Sequence, residues 1–258
     1  MYLFKQLSEQ RMPDFVIIGA QKAGTTSLYH YLNQHPVIAG AVVKEVHYFD
    51  LNYDKPREWY LQFFPSLLEK KRRLTGEASP YYLFHPLAAR RLRETLPDAK
   101  IIVILRNPID RAYSHYHHSV RNLGETLTFE QAIACEEVRL MGMLEKFRED
   151  PYYFNESHQH HSYLSRGIYV DQLEEWHRYC PSEKILILSF EDFFGGLPDS
   201  MRKVTDFLGV QPYEFQYKPL NVGRYEEIST VTRKHLQAYF APHNERLYRM
   251  LERGFDWD

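Results

Sequence analysis

The sequence predicts an α/β fold, with a central parallel sheet flanked by layers of helices. Three observations predict it. The runs Lys100-Ile101-Ile102-Val103-Ile104-Leu105 and Lys184-Ile185-Leu186-Ile187-Leu188 are aliphatic without alternation, the mark of strands buried on both faces. Runs of this kind alternate along the chain with segments of helical length and period, as parallel β–α–β units require. The first apolar run, Phe15-Val16-Ile17-Ile18, passes through a glycine-bounded loop directly into Leu28-Tyr29-His30-Tyr31-Leu32.

The other elements follow in order. Val37 to Val43 reads as a short apolar strand ending at Lys44. Pro56 to Phe64 reads as a helix with proline in its first turn. Leu74 to Ala78 is a short strand, and a helix from Pro86 to Leu96 feeds the strand at Lys100. Arg106-Asn107-Pro108 closes that strand and starts a helix through about Val120. Thr128 to Arg148 reads as one long helix opened by a Thr128/Gln131 capping box. Asp150 to His161 mixes aromatic and polar residues without a period, as lids and binding loops do. Tyr169–Tyr179, Leu197–Leu208 and Thr230–Arg253 complete the helices. No repeat or linker intervenes, so residues 1–258 read as one domain.

Composition excludes several classes. A formal net charge of −2 argues against a general nucleic-acid binder. No stretch is apolar for ~18 residues, so no membrane span is expected, and the start lacks a signal-peptide core. Cys135 and Cys180 form neither a CxxC pair nor a disulfide framework; both are expected as buried free thiols in helices. That usage fits a reducing, cytoplasmic setting. His158, His160 and His161 have no carboxylate or cysteine at ligand spacing, so no metal site is expected. Twenty tyrosines and 16 phenylalanines suit a walled cleft.

The chemistry is concentrated in four places. Gly19-Ala20-Gln21-Lys22-Ala23-Gly24-Thr25-Thr26-Ser27, between strand and helix, has the glycine spacing of an NTPase P-loop, a cradle of backbone N–H groups for phosphate. Its lysine, however, lies inside the turn at Lys22, and Thr25 follows Gly24 where the NTPase lysine would stand. This predicts a P-loop-like three-layer fold without the basis for nucleotide–Mg²⁺ chemistry. In Lys44-Glu45-Val46-His47-Tyr48-Phe49-Asp50, Glu45 and His47 alternate, so an extended backbone puts a carboxylate and an imidazole on one face. Either can serve as general base. Arg106 at a strand's carboxyl end and Ser114, two helical turns beyond Asn107, can grip a second phosphate. Asn221-Val222-Gly223-Arg224 is a loop before the final helix.

Together these motifs resemble the PAPS-dependent sulfotransferases, in particular the branch related to heparan sulfate glucosaminyl sulfotransferases. PAPS is 3′-phosphoadenosine 5′-phosphosulfate. The resemblance spans nearly the whole chain, from Pro13 to the final helix. It implies sulfuryl transfer from PAPS, leaving PAP, to an acceptor hydroxyl or amine on a carbohydrate or other small molecule, with no metal. Lys22, Ala23, Gly24, Thr25, Thr26 and Ser27 would bind the 5′-phosphosulfate, with Lys22 also neutralising the leaving oxygen. Glu45 matches the family's base, His47 its neighbouring histidine and Asp50 an acceptor-side carboxylate. Arg106 and Ser114 match the 3′-phosphate pair, and Gly223 and Arg224 a late cofactor-closing loop.

The chain also departs from that branch. Ala78, in Glu77-Ala78-Ser79-Pro80, stands where glycosaminoglycan enzymes carry a lysine, and their Golgi anchor and disulfide pattern are missing, as in a soluble bacterial-type relative. The Arg121 to Arg166 region is expected to shape the acceptor pocket. Two other readings are a Mg²⁺-dependent P-loop kinase or NTPase, with the strand ending in Arg106 arguing against metal, and an inactive PAP-binding module.

Overall fold

The computed structural model describes residues 12–66, 73–218 and 225–257. Four parallel strands form the sheet, in the order β2-β1-β3-β4: β1 is Phe15–Gly19, β2 Gly76–Ala78, β3 Lys100–Leu105 and β4 Ile185–Ser189. The two central strands, β1 and β3, are buried along their length apart from Lys100, as their aliphatic composition requires. Val16 lies opposite Glu77 on one side and Ile101 on the other, and Ile101 in turn opposes Ile185. Helices flank the sheet. Tyr169–Tyr179 packs against both Ala88–Thr95 and Thr230–Leu251, and its Trp176 indole donates to the Leu83 carbonyl at 3.3 Å. A second, smaller core gathers Ile109, Ala112, Phe129, Tyr163, Leu236 and Phe240 beside the sheet.

Several helices begin where their side chains dictate. Asn107 caps Pro108–Asn122 by accepting from Ile109 N at 3.0 Å, with Pro108 as the first helical residue. The Thr128/Gln131 capping box is present.

Three expectations need correction. The run from Thr128 to Arg148 is three short helices, Phe129–Ala134, Glu136–Leu140 and Met143–Glu149. Gly142 breaks it in the left-handed region at φ 71°. The first break accompanies an inward turn of Glu136, whose carboxylate accepts from Leu164 N and Ser165 N at 2.6 and 2.8 Å. Residues 37–43 are not a strand: one bridge, Ile38 to Leu74, is formed before the chain bends and leaves Val42 79% exposed. Cys180 is buried, but Cys135 is exposed at the junction of two short helices.

Candidate active site

Strand ends gather the site. The chain turns away from β1 to β2 on one side and β3 on the other, so the crevice above their carboxyl ends is a topological switch point. A cleft of about 980 Å³ opens there. Its wall takes Lys22 from the loop after β1, Pro80 from the segment after β2, Arg106 from the end of β3 and Phe190 from the end of β4. The cationic side chains on the wall are Lys22, Lys44, Arg106, Arg121 and Lys218, against the single carboxylate of Glu45 among its described residues. Such a surface suits a ligand carrying several negative charges.

The phosphate loop has the expected form. Thr25–Leu32 is a helix whose N-cap, Gly24, makes no side-chain cap. Its first internal bond runs from Leu28 N to Gly24 O, so the N–H groups of Gly24, Thr25, Thr26 and Ser27 precede the helical ladder, and these four residues line the cleft. Gly24 sits at φ 87°, and a Cβ there would lie 2.7 Å from the Phe194 ring. Only glycine fits. Lys22 is itself left-handed at φ 70°, a conformation seldom adopted outside glycine. Burial lowers its pKa, assisted by the charges of Arg121, Arg106 and Arg111. Ala23 departs from expectation. Its side chain is wholly buried and its N–H donates to Ala20 O at 3.1 Å, so it shapes the turn and offers no donor to a ligand.

Arg106 and Ser114 do meet on the same wall. The Arg106 guanidinium donates to Lys22 O at 3.0 Å and lies 4.6 Å from the centre of the Phe190 ring, which fixes its direction. His118, Arg121 and Asn122 continue the Ser114 face of the same helix into the cleft. Beneath the loop, fully buried Arg166 donates to Gln21 Oε1 at 2.8 Å and to the His158 carbonyl at 3.1 Å. It thereby ties the aperiodic 150–161 segment to the phosphate loop.

Glu45 and His47 also meet, but through a turn. His47 lies at φ 55°, not on an extended strand end. Its Nε2 is 3.0 Å from Glu45 Oε2 and its Nδ1 2.8 Å from Asp50 Oδ2. Lys44 Nζ approaches the other Glu45 oxygen at 3.3 Å. Burial pushes His47 toward neutrality, but hydrogen bonds to Asp50 and Glu45, together with their charges, outweigh it and raise the pKa to about 10. Burial likewise pushes Glu45 up, yet the His47 hydrogen bond and the Lys44 charge hold it below the ordinary value. At neutral pH the group is a carboxylate against an imidazolium whose two N–H bonds are both engaged. Such a ring has no lone pair with which to take a proton. Asp50 is placed differently from expectation: its side chain is 0% exposed and accepts from His47 and, at 2.6 Å, from Leu51 N. It braces His47 from behind and presents nothing to the cleft.

Gly223 and Arg224 lie outside the described residues. Of the Arg121 to Arg166 region, Arg121 and Asn122 reach the cleft, while Tyr152, Tyr153 and Phe154 line a separate cavity with Asp50 to Lys55. Sequence reasoning missed the Phe190 and Phe194 wall, Tyr31 and Lys218. His118 and Arg121 carried a legible signal, since they stand four and seven residues beyond Ser114 on one helix.

Known proteins resemble the chain in sequence and in fold. The model of the sulfotransferase domain family matches residues 12–236. The chain is 29% identical to the membrane-associated sulfotransferase kil1 of Dictyostelium discoideum, over 95% of this chain and 66% of that protein. It is 27% identical to the Homo sapiens heparan sulfate glucosamine 3-O-sulfotransferase 3B1, over 99% of this chain and 67% of that one. It thus spans about two thirds of the length of these curated relatives. The crystal structure of a sulfotransferase from Alicyclobacillus acidocaldarius is similar at a TM-score of 0.77 and 32% identity, covering 95% of this chain and 98% of that one.

Proposed function

This chain belongs to the sulfotransferase domain family, and from that premise we propose that it moves a sulfuryl group from PAPS to a hydroxyl, or an amine, of a carbohydrate or other small acceptor. One observation carries the reading: a phosphate-cradling loop with Lys22 inside it and the Glu45 carboxylate open onto the same cleft.

The residues fit such a donor. The N–H groups at Gly24 to Ser27, the Lys22 ammonium and the threonine hydroxyls would hold its 5′ end. Arg106 and Ser114, joined by Arg121, would hold the 3′-phosphate, and the resemblance would add Gly223 and Arg224, outside the described residues, as cofactor-closing residues. Phe190 and Phe194 offer aromatic faces to a base. When bound, PAPS supplies a sulfuryl group activated by its bond to phosphate; the protein's residues supply charge and proton handling. Glu45, ionised at neutral pH, takes the acceptor proton. His47 orients Glu45 and keeps it charged. Lys22 faces the charge that appears on the departing phosphate, and its lowered pKa favours giving up a proton there.

A carbohydrate acceptor draws on relatives named for heparan sulfate. Ala78 is buried in β2, so the cation that glycosaminoglycan enzymes place there is missing, and Lys44 joins the His47 imidazolium as the positive charge beside the base. The reading takes the chain as one catalytic domain acting in the cytoplasm, in line with the exposed free thiol of Cys135.

The test is thermal stability with PAP, compared with ATP plus Mg²⁺, in wild type, Lys22→Ala and Arg106→Ala. Ligand at ~100 times its Kd adds about 2.7 kcal/mol. A shift with PAP that both variants lose, followed by sulfate transfer from labelled PAPS to a glycan panel, is the expected result. A shift with ATP and Mg²⁺ alone would overturn the proposal.

A further inference from the structure

We infer that Glu77 is the positioning residue for the catalytic base, a buried hub two of whose three hydroxyl partners, Ser79 and Tyr82, hold the Glu45–Tyr48 turn in its working shape. The inference rests on the reading of Glu45 as base. Glu77 lies in the middle of β2, 0% exposed, and touches no cleft surface. Its Oε1 accepts from Tyr60 OH at 2.8 Å and Tyr82 OH at 3.1 Å, and its Oε2 from Ser79 Oγ at 2.7 Å. Two of these hydroxyl oxygens, those of Ser79 and Tyr82, receive the turn. Ser79 Oγ accepts from Val46 N at 3.1 Å and His47 N at 3.2 Å, and Tyr82 OH accepts from Tyr48 N at 2.7 Å.

Three successive amides of the base-bearing turn are therefore held by hydroxyls whose hydrogens point at one carboxylate. The direction of those hydrogens is what matters. A hydroxyl that donates to Glu77 keeps its lone pairs free for an incoming N–H. His47 needs this support, because a non-glycine residue at φ 55° persists only where its surroundings hold it. A core carboxylate is itself costly unless fully hydrogen-bonded, so a merely packed residue at this position would be apolar.

Protonation of Glu77 would reverse one of these bonds, since its new O–H needs a hydroxyl acceptor. Burial raises its pKa to about 7; the Ser79, Tyr60 and Tyr82 hydroxyls offset part of this, and the Asp50 charge adds to it. The titratable groups facing it are Tyr60, Tyr82, Asp50 and Tyr29, and all three phenols are shifted upward, so they stay protonated here. An acid limb near pH 7 cannot belong to Glu45, held below the usual carboxylate value, nor to His47, raised to about 10.

The experiment compares kcat against pH, together with PAP affinity, for wild type, Glu77→Gln, Ser79→Ala and Glu45→Gln. Wild type is expected to lose kcat as pH falls through about 7. Glu77→Gln is expected to lower kcat roughly 10- to 100-fold, as small misplacements of a catalytic group do, to abolish that limb, and to leave PAP affinity within about twofold. Wild-type kcat with an unchanged limb in Glu77→Gln would overturn the inference. Should that variant fail to fold, Ser79→Ala decides: a lowered kcat with PAP binding kept supports the hub, and an unchanged kcat overturns it. Full activity in Glu45→Gln would instead remove the base itself, a failure distinct from that of Glu77.

Discussion

Asp50→Asn removes the charge that braces His47 while keeping an oxygen of the same size in the same place. In the folded protein His47 rises from 6.5 to about 10. At ~1.36 kcal/mol per unit, that corresponds to about 5 kcal/mol of stability shared between Asp50 and Glu45. Asp50 heads the favourable contributions and its carboxylate is fully enclosed, so removing its charge is expected to cost about 1.5–3 kcal/mol, the range for a hydrogen bond to a charged group. The sign follows from the raised pKa. The stabilisation is complete below pH 6.5 and drains away as pH rises through about 10. Asp50→Asn should therefore be less stable than wild type by the full amount at pH 6, with the gap closing by pH 10. In kinetics, loss of one charge-assisted hydrogen bond of about 1.5–3 kcal/mol behind the base should lower kcat by roughly tenfold or more. Urea denaturation at pH 6, 8 and 10, with the His47 ring followed by NMR, checks this. A gap that does not change with pH, or a wild-type His47 that titrates near 6.5, would refute the reasoning.

Gly24→Ala should abolish the thermal shift with PAP, because a left-handed L-residue costs roughly 1–2 kcal/mol and the new methyl group meets the Phe194 ring; a retained shift would mean the loop is not the phosphate site. Phe190→Ala removes the face on which the Arg106 guanidinium rests. Such contacts are worth about 0.5–2 kcal/mol, so titration calorimetry should show PAP binding weakened by roughly 2- to 30-fold; unchanged affinity would show that Arg106 is aimed by its bond to Lys22 alone.

Much of this protein was determined by short stretches of its sequence. The aliphatic run at Lys100 to Leu105 specifies a strand buried on both faces in any arrangement that excludes water from it, and β3 has those bounds. The phosphate loop is equally local: strand, left-handed glycine and helix N-terminus lie within a dozen residues, and the cradle is made from their own backbone. The helix after Arg106 was legible for the same reason, since Asn107 and Pro108 satisfy its first turn from within the chain. The base region was only half legible. Glu45 and His47 meet, as their spacing suggested, but an extended strand does not bring them together. Their turn depends on Ser79 and Tyr82, more than thirty residues away in sequence. Asp50 was misplaced because burial is decided by what packs behind a residue, and here that is the reverse side of the turn. The Phe190 and Phe194 wall and the Glu77 hub were legible nowhere in one segment. Local sequence sets backbone conformation and which faces are apolar. Which hydroxyl aims its hydrogen at which buried carboxylate is set only when β2, the Tyr60 helix and the Glu45 turn pack together.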